Sequence, residues 1–301
     1  MLHCKALSAD ARLLEALHQR QATGVVLSVF TRAMNVLWTH DGVTAPDALV
    51  ALVGAQGELG PNVVQVDASS FEQWPVAPQA AVQYIPHCLH VGRGAQAVVV
   101  DMAHAQPWQQ PVLVYPQNSQ TLQRNLTEVL WPALEATKPE GEISAIQVHT
   151  QQRLRQGIQG LAQSLVQGDE AAALTSAKGL LGLGMGLTPA GDDMLLGLFA
   201  VCTVCNCPLS RWQPFFAQVA HLSRSATNVI SSAGVEHAAH GRMRASLAAL
   251  VHALMHGSQE ECRQCLELVL DIGSSSGRDM AVGMAYGCAV CLGGWGGPEP
   301  C

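Results

Sequence analysis

The chain has 301 residues, of which 49% are apolar and only 13% are charged, and its formal net charge is −7. This composition is typical of a globular protein with little charged surface, so we expect further burial against partner subunits. The 23 acidic residues outnumber the 16 basic ones, and the basic residues form no cluster, which excludes a protein that binds nucleic acid through its charge. The length approaches the limit of a single hydrophobic core and indicates two lobes.

The N-terminal segment carries charges where an export signal needs an uninterrupted apolar core. Asp10, Arg12 and Glu15 favour an amphipathic helix there. The most apolar stretch, residues 179–205, is broken by Pro189 and two adjacent aspartates, so we expect no membrane span. Ten cysteines without an export signal indicate a cytoplasmic protein with reduced thiols.

The first part of the chain has the pattern of short strands. Between about residues 24 and 115, β-branched or aromatic runs are separated by Gly, Pro and Asp: TGVVLSVFT, AMNVLWT, PNVVQVD, AAVQYI, QAVVVDM and PVLVY. Such runs, with no long helix between them, predict an antiparallel β-rich lobe, either a barrel or a sandwich. We assign residues 1–118 to this lobe and expect it to act as a scaffold or docking surface.

The remainder of the chain has helical spacing. Leu154, Ile158, Leu161 and Leu165 fall on one stripe of a predicted helix, and further apolar runs with the same period continue toward the C-terminus. We therefore predict an α+β protein in which an all-helical lobe, residues 119–301, follows the β-rich lobe.

The most informative segment is a glycine-rich loop that leads into a predicted helix start. Alternating glycines precede Thr188 and Pro189, residues that are favoured at the N-cap and the first helical position. The backbone N–H groups of such a loop and the helix dipole converge on one point, which favours a small anion. No Gly-Lys-Ser/Thr ends the loop, so it is not a Walker A loop. The candidate anion ligands here are Gly184, Gly186, Thr188 and Gly191.

Two adjacent acids, Asp192 and Asp193, follow in the first turn of that helix. Complementing the helix dipole is worth only about 0.3–1 kcal/mol for each acid, which does not explain two of them in so apolar a segment. They lie roughly 100° apart around a helix, so at most one points straight at a ligand above the N-terminus. We choose Asp193, because a second loop repeats its position.

The second loop lies 86 residues further along the chain. Hydroxyl, Gly, Asp, Met and Gly recur in register in residues 188–197 and 274–283, which indicates either an internal duplication or a chance match. Gly197 and Gly283 each cost about 1 kcal/mol relative to Ala in a helix interior, so we expect the two helices to cross at them. The crossing brings both loops to one pocket.

The second loop supplies a further set of candidate site residues. Arg278 offers a permanently charged guanidinium group that can donate two hydrogen bonds to a carboxylate or phosphate. The other anion ligands are Ser274, Ser275, Ser276 and Gly277, and the candidate acid is Asp279.

A resemblance to a known family rests on one long string: Gly182-x-Gly184-x-Gly186-Leu187-Thr188-Pro189-x-Gly191-Asp192-Asp193. The string resembles the signature of the small subunit of oxamate carbamoyltransferase, from anaerobic allantoin degradation. His237-Ala-Ala-His240-Gly241 and Gly273-Ser-Ser-Ser-Gly277-x-Asp279 extend the resemblance over roughly residues 150–290. This chain has Ala190 where the family pattern usually has Ser.

The resemblance implies a subunit of a complex that moves a carbamoyl group between oxalurate, or a related ureido acid, and phosphate, giving oxamate and carbamoyl phosphate. It implies small anionic substrates and two larger partner subunits, one of them succinyl-CoA-synthetase-like; we expect no cofactor. Asp192, Asp193 and Asp279 are then the candidate catalytic residues, with Asp193 or Asp279 accepting hydrogen bonds from the carbamoyl NH2 group or orienting the nucleophile. The alternative is a non-catalytic assembly subunit, or an anion-sensing regulatory subunit, of an acyl-CoA-synthetase-like complex.

Cysteine and histidine spacings formally allow a metal site. Two of the three C-x2-C pairs lie in apolar runs, where a free thiol packs as a small hydrophobic group, so we expect reduced, mostly buried cysteines without metal. His252 and His256 have the spacing of a zinc pair, but no Glu stands beside the first, and we expect no metal there either. Ser231 and Ser232 are interpreted as an ordinary helix start, the alternative being a third polar loop that lines the cleft. The three pairs are Cys202/Cys205, Cys262/Cys265 and Cys288/Cys291.

Overall fold

The computed structural model describes residues 1–19, 22–39, 48–136 and 144–294. The chain divides into two compact units, Met1–Gln110 and Pro111–Cys301. The first unit is a β-barrel and the second is helical, so the predicted α+β class is confirmed.

The first unit consists of nine strands, one α-helix and one short 3-10 helix (Gly94–Gln96) in its described part. In chain order these are β1 (Leu2–Asp10), α1 (Ala11–Gln19), β2 (Ala22–Val29), β3 (Ala33–Trp38), β4 (Leu49–Val53), β5 (Val63–Val66), β6 (Ala81–Ile85), β7 (Cys88–Val91), β8 (Val98–Asp101) and β9 (Gln106–Trp108). Eight strands form a closed ring in the order β1-β5-β4-β3-β2-β6-β7-β8, because β1 pairs with both β5 and β8. The ninth strand, β9, pairs with the second half of β1.

The interior of the barrel is filled by the side chains of alternate residues along each strand. Every second residue points to one face of a strand, so the period-2 runs place one apolar set inside. The register of β1 shifts between Ala6 and Ser8, and a bulge of this kind bends a long strand and helps a sheet to close. The fully or almost fully buried interior residues include Val26, Val36, Leu52, Val64, Val82, Tyr84 and Val91.

The barrel is mixed rather than purely antiparallel, because β1 runs parallel to β8 and β9, and β4 runs parallel to β5. Side-chain alternation has the same period in both pairing modes, so the sequence pattern does not report strand direction. The N-terminal segment was predicted as a helix, but its first half is strand β1 and the helix begins at Ala11. The run PVLVY, residues 111–115, was predicted as a strand and makes only an isolated bridge between Val114 and Cys205.

The second unit is built from helices. They are α2 (Gln120–Asn125), a π-helical segment (Leu126–Leu130), α3 (Trp131–Ala136), α4 (Ala145–Gln167), α5 (Glu170–Leu180), α6 (Ala190–Cys202), α7 (Gln213–Ala226), α8 (Val229–Ala239), α9 (Ala245–His256), α10 (Gln259–Leu270) and α11 (Ser276–Cys291). Local signals set several of their ends. A capping box of Ser144 and Gln147 begins α4, and a second one, of Ser258 and Glu261, begins α10.

Two helices, α6 and α11, form the centre of the second unit. Most residues of both are buried on all sides, which is the property of a helix enclosed by others. The predicted stripe of α4, from Leu154 to Leu165, is buried against this centre, as expected. The candidate site lies at the N-terminal ends of α6 and α11.

Candidate functional site

Helices α6 and α11 cross with their backbones in direct contact. A Cβ atom added to Gly197 would lie 1.9 Å from the carbonyl oxygen of Met280, and one added to Gly283 would lie 2.0 Å from that of Met194. Only glycine permits this approach, so the prediction that the helices cross at these two residues is confirmed. The two contacts are equivalent under the 86-residue offset, which gives the crossing a local pseudo-two-fold symmetry.

A second pair of glycines places each helix start against the helix that precedes it. A Cβ added to Gly191 would lie 2.0 Å from the carbonyl oxygen of Leu180, at the end of α5, and one added to Gly277 would lie 1.9 Å from that of Val269, near the end of α10. The N–H groups of both glycines donate to carbonyls of their own loops. Gly191 and Gly277 therefore shape the site through their lack of a side chain.

The glycine loop, residues 181–189, has a backbone that requires glycine. Gly182, Gly184 and Gly186 have φ values of +70°, +124° and +107°. No backbone carbonyl of the described residues accepts a hydrogen bond from the N–H of Gly184 or Gly186. Met185 is 84% exposed at the tip of the loop, and Leu187 beside it is also exposed.

The hydroxyl groups of the two loops meet each other instead of capping their helices. Thr188 Oγ1 lies 2.7 Å from Ser276 Oγ, and neither helix start receives a side-chain cap. The predicted N-cap role of Thr188 is therefore wrong: Pro189 occupies the cap position, and a proline side chain has no acceptor to offer the helix. The contact brings the two predicted loops together, while the pocket expected between them stays a prediction.

Asp192 is fully engaged in holding the glycine loop. Its side chain is 1% exposed, Oδ1 accepts from the Gly182 N–H at 2.8 Å, and Oδ2 accepts from the Thr227 hydroxyl at 2.5 Å. Burial raises the pKa of Asp192, and these two hydrogen bonds counteract the rise. Asn228 caps α8 and also donates to the Leu187 carbonyl, so the start of α8 supports the loop.

Asp193 has the same burial but a different set of contacts. Its side chain is 3% exposed, and Oδ2 has no hydrogen-bond partner among the described residues. Burial raises its pKa to about 7, the hydroxyls of Ser276 and Thr188 oppose that rise, and the neighbouring Asp279 adds to it. A buried carboxyl that titrates near neutral pH can give or take a proton under ordinary conditions.

Asp279 holds the equivalent position on α11. It is 9% exposed, and burial raises its pKa to about 6, although Arg278 and Ser275 counteract this rise. Arg278 donates from Nη2 to the carbonyl of Leu134 at 3.1 Å, so one arm of its guanidinium is already bound within the protein. Burial lowers the pKa of Arg278 from its usual value.

The remaining predicted residues are placed as follows. Ser274 and Ser275 are exposed on the second loop. The serines of α8 are buried, with Ser232 Oγ 2.8 Å from Ser223 Oγ. The helix start predicted there is confirmed, but its cap is Asn228.

One motif escaped the sequence analysis. Residues 273–277 match the Gly-x-Ser-x-Gly pattern of a hydrolase nucleophile elbow. That elbow joins a strand to a helix, whereas this loop joins α10 to α11. The signal was visible in the sequence, but the structural context of a nucleophile elbow is missing.

The candidate metal ligands do not converge. In the described ranges, no group of three or more His, Cys, Asp and Glu side chains is arranged to hold a metal ion. The rings of His252 and His256 lie 5.2 Å apart between centroids, and His256 Nε2 contacts the carbonyl of Val114. Four of the six paired cysteines are buried, as predicted, namely Cys202, Cys262, Cys288 and Cys291. The prediction is wrong for Cys205, which is exposed although its run is apolar.

The fold and site define a class of protein in which a barrel precedes a helical unit with two equivalent helix starts at one crossing. The family model "AllH family N-terminal domain" matches residues 5–107, and the model "Oxamate carbamoyltransferase subunit AllH" matches residues 180–288. The chain therefore belongs to the AllH family of oxamate carbamoyltransferase subunits. No solved structure matches the chain significantly. None of the helices in the described part has both the length and the apolar character needed to cross a bilayer.

Proposed function

We propose that this chain carries the substrate site of a carbamoyltransferase complex, at the crossing of α6 and α11. The reaction moves a carbamoyl group between oxalurate, or a related ureido acid, and phosphate, giving oxamate and carbamoyl phosphate. The observation that carries the proposal is the buried Asp193 carboxyl, whose Oδ2 is unpartnered among the described residues, beside the hydroxyls of two loops. A structural carboxylate would have its oxygens bonded, as Asp192 does.

The loops supply the anion-binding groups that both substrates need. The N–H groups of Gly184 and Gly186 and the two adjoining helix starts favour negative charge. We assign the hydroxyls of Thr188, Ser274, Ser275 and Ser276 to the same task, and the positive charge of Arg278 adds to it at longer range.

The acids serve the proton transfers of the reaction. When a phosphate oxygen attacks the ureido carbonyl, the bond from that carbon to the leaving nitrogen breaks, and the proton lost by phosphate must reach this nitrogen. We assign this transfer to Asp193, because its pKa of about 7 suits general acid–base catalysis. The oxyanion formed on the carbonyl is stabilised by the loop N–H groups. Asp192 is a positioning residue that keeps the glycine loop in place.

We propose that the site works only in a hetero-oligomer with two larger subunits, one of them succinyl-CoA-synthetase-like. The glycine loop supports this, because Met185 and Leu187 are exposed apolar side chains next to buried acids. Such side chains are typical of surfaces that become covered by a partner.

The test is the formation of carbamoyl phosphate from oxalurate and phosphate by the reconstituted complex. We expect activity from the complete complex, none when this chain is omitted, and a strong loss when it carries Asp193→Ala. Asp271→Ala is the matched control, because Asp271 is exposed at the end of α10. Full activity of the partners without this chain would show that it is an assembly or regulatory subunit.

A further inference from the structure

We propose that Asp193 and Asp279 act as one pair that holds a single proton between them, and that this pair binds the carboxamide group of oxamate. The inference rests on the proposed function for the identity of the ligand. The pairing itself rests on the structure of the crossing alone.

The pairing follows from the pseudo-two-fold symmetry of α6 and α11. Asp193 immediately precedes Met194 and Asp279 immediately precedes Met280, the two residues whose carbonyl oxygens face the crossing glycines. The symmetry therefore places the two carboxyls in equivalent positions at the same end of the crossing. The contact between Thr188 and Ser276 brings the two loops together there, and the two acids are close enough for the charge of Asp279 to act on Asp193.

The unpartnered oxygen of Asp193 indicates that a ligand belongs at this position. The carboxyl is more than nine-tenths buried and lies beside the hydroxyl of Ser276 from the opposite loop, yet Oδ2 has no partner among the described residues. Buried polar atoms are almost always hydrogen-bonded, so a buried oxygen without a partner is suited to a group that enters from outside.

Repulsion between two buried carboxylates explains why the pair retains one proton. Two carboxylates that share a site resist joint ionisation, and one of them keeps its proton to a higher pH. The other charged groups that act on the pair are Asp192 on α6 and Arg278 on α11. The buried carboxylate of α8, Glu236, is held by Arg224 through two hydrogen bonds.

A pair with one proton is complementary to a primary carboxamide. The amide NH2 donates to the ionised carboxyl, and the protonated carboxyl donates to the amide oxygen. Oxamate carries a carboxylate directly next to its carboxamide, so this orientation turns the carboxylate toward the N–H groups of the glycine loop. The amide nitrogen of oxamate is the leaving nitrogen of the proposed reaction, so the pair lies where a proton is needed.

The first test measures the pair without any substrate. We expect the side-chain carbons of Asp193 and Asp279, followed by NMR in the 13C-aspartate-labelled full chain, to titrate in two coupled steps. In Asp279→Asn the remaining Asp193 step should move down by at least one pH unit, because a like charge has been removed. Asp193→Asn should leave a single Asp279 step at the lower of the two wild-type values, and Asp271→Asn should change neither step. If Asp193 titrated in Asp279→Asn at the same pH as in the wild type, the pairing would be overturned.

The second test measures recognition by calorimetry on the complete complex, with oxamate and oxalate as probes at about pH 6.5, where the pair holds one proton. Oxalate has a second carboxylate in place of the carboxamide, so the wild type should prefer oxamate at least tenfold. Both Asp193→Ala and Asp279→Ala should reduce this preference at least tenfold, because each leaves the carboxamide with one partner fewer, whereas Asp271→Ala should preserve it. An unchanged preference in either variant would overturn recognition by the pair. Failure of the wild type to bind oxamate, with coupled titration intact, would instead count against the proposed function.

Discussion

The second unit contains two equivalent helix starts, one at α6 and one at α11, and the loops that precede them differ. In both, a helix ends, a short loop turns, a glycine packs on a backbone carbonyl of the preceding helix, and an acid stands two positions later. The first loop has nine residues and three glycines with positive φ, whereas the second has five residues and one such glycine. The shared features are the backbone contacts that build the crossing, so we assign the differences to binding of the proposed ligand.

The clearest difference between the two helix starts lies in the residue that precedes Asp193 or Asp279. Asp192 accepts two hydrogen bonds and ties the long loop to Thr227 at the end of α7. The equivalent residue on α11, Arg278, donates to the carbonyl of Leu134 near the end of α3. Both anchor a helix start to a neighbouring segment, but with opposite charge. The same scaffold therefore carries a long glycine-rich loop on one side and a positive charge on the other.

The largest expected effect tests whether the two halves of the crossing are equivalent. Gly197→Ala and Gly283→Ala should each lower the free energy of unfolding by about 3 kcal/mol, because the added Cβ meets a backbone carbonyl that cannot rotate away. Urea unfolding of the two variants measures the effect.

Gly179→Ala is the control for that experiment. It lies in α5, and its Cβ would meet nothing within 4 Å, so the better helix propensity of Ala should stabilise the chain by up to about 1 kcal/mol. If Gly197→Ala were as stable as Gly179→Ala, the close crossing would be refuted. Unequal losses at Gly197 and Gly283 would break the pseudo-symmetry.

The next prediction distinguishes the roles of two threonine hydroxyls, that of Thr227 beside Asp192 and that of Thr188 beside Asp193. Thr227→Val removes a donor from the buried Asp192 carboxylate and should cost about 2 kcal/mol of stability. Thr188→Val removes the hydroxyl beside Asp193 and should mainly lower turnover, with a stability change within about 0.5 kcal/mol. Equal stability losses in both variants would mean that Asp193 is as structural as its neighbour.

The smallest effect concerns Arg278. Replacing it by Met preserves much of the side-chain volume but removes the charge, so the KM for the anionic substrates should rise about fivefold with kcat little changed. This corresponds to about 1 kcal/mol of screened attraction. A fall in kcat without a change in KM would indicate that the hydrogen bond to Leu134 matters more than the charge.

Much of the fold was predictable from hydrophobic periodicity. The runs that became β2, β3, β5, β6 and β8 are short and rich in β-branched or aromatic residues, and the stripe of α4 has helical spacing. Strand β1 was missed because Lys5, Ser8 and Asp10 interrupt its apolar residues, and because the helical pattern of α1 follows without a break. Strand direction and barrel closure depend on pairing between distant segments, which a local pattern does not encode.

The site was predictable where a local rule applied. The crossing glycines were identified because glycine in a helix interior needs a packing reason. The partners of Asp192 and Arg278 were not, because Thr227 lies 35 residues from Asp192 and Leu134 lies 144 residues from Arg278. The N-cap prediction for Thr188 failed for a physical reason as well, because its hydroxyl bonds to that of Ser276.

The central claim is that Asp193 is retained for chemistry at a cost in stability. The raised pKa of its carboxyl means that the folded chain binds more protons than the unfolded chain between about pH 4 and 7. Stability contributed by this group is therefore lost as the pH rises through that window. Asp193→Asn removes a costly buried charge at pH 8 and should flatten this part of the pH profile.

The most direct measurement is the turnover and the free energy of unfolding of Asp193→Asn at pH 8, beside wild type and Asp271→Asn. The account predicts that turnover in the reconstituted complex falls by about 100-fold or more, which is the usual contribution of a general acid–base group. It also predicts that the variant chain is at least as stable as wild type. Wild-type turnover, or a parallel loss of turnover and stability, would contradict it.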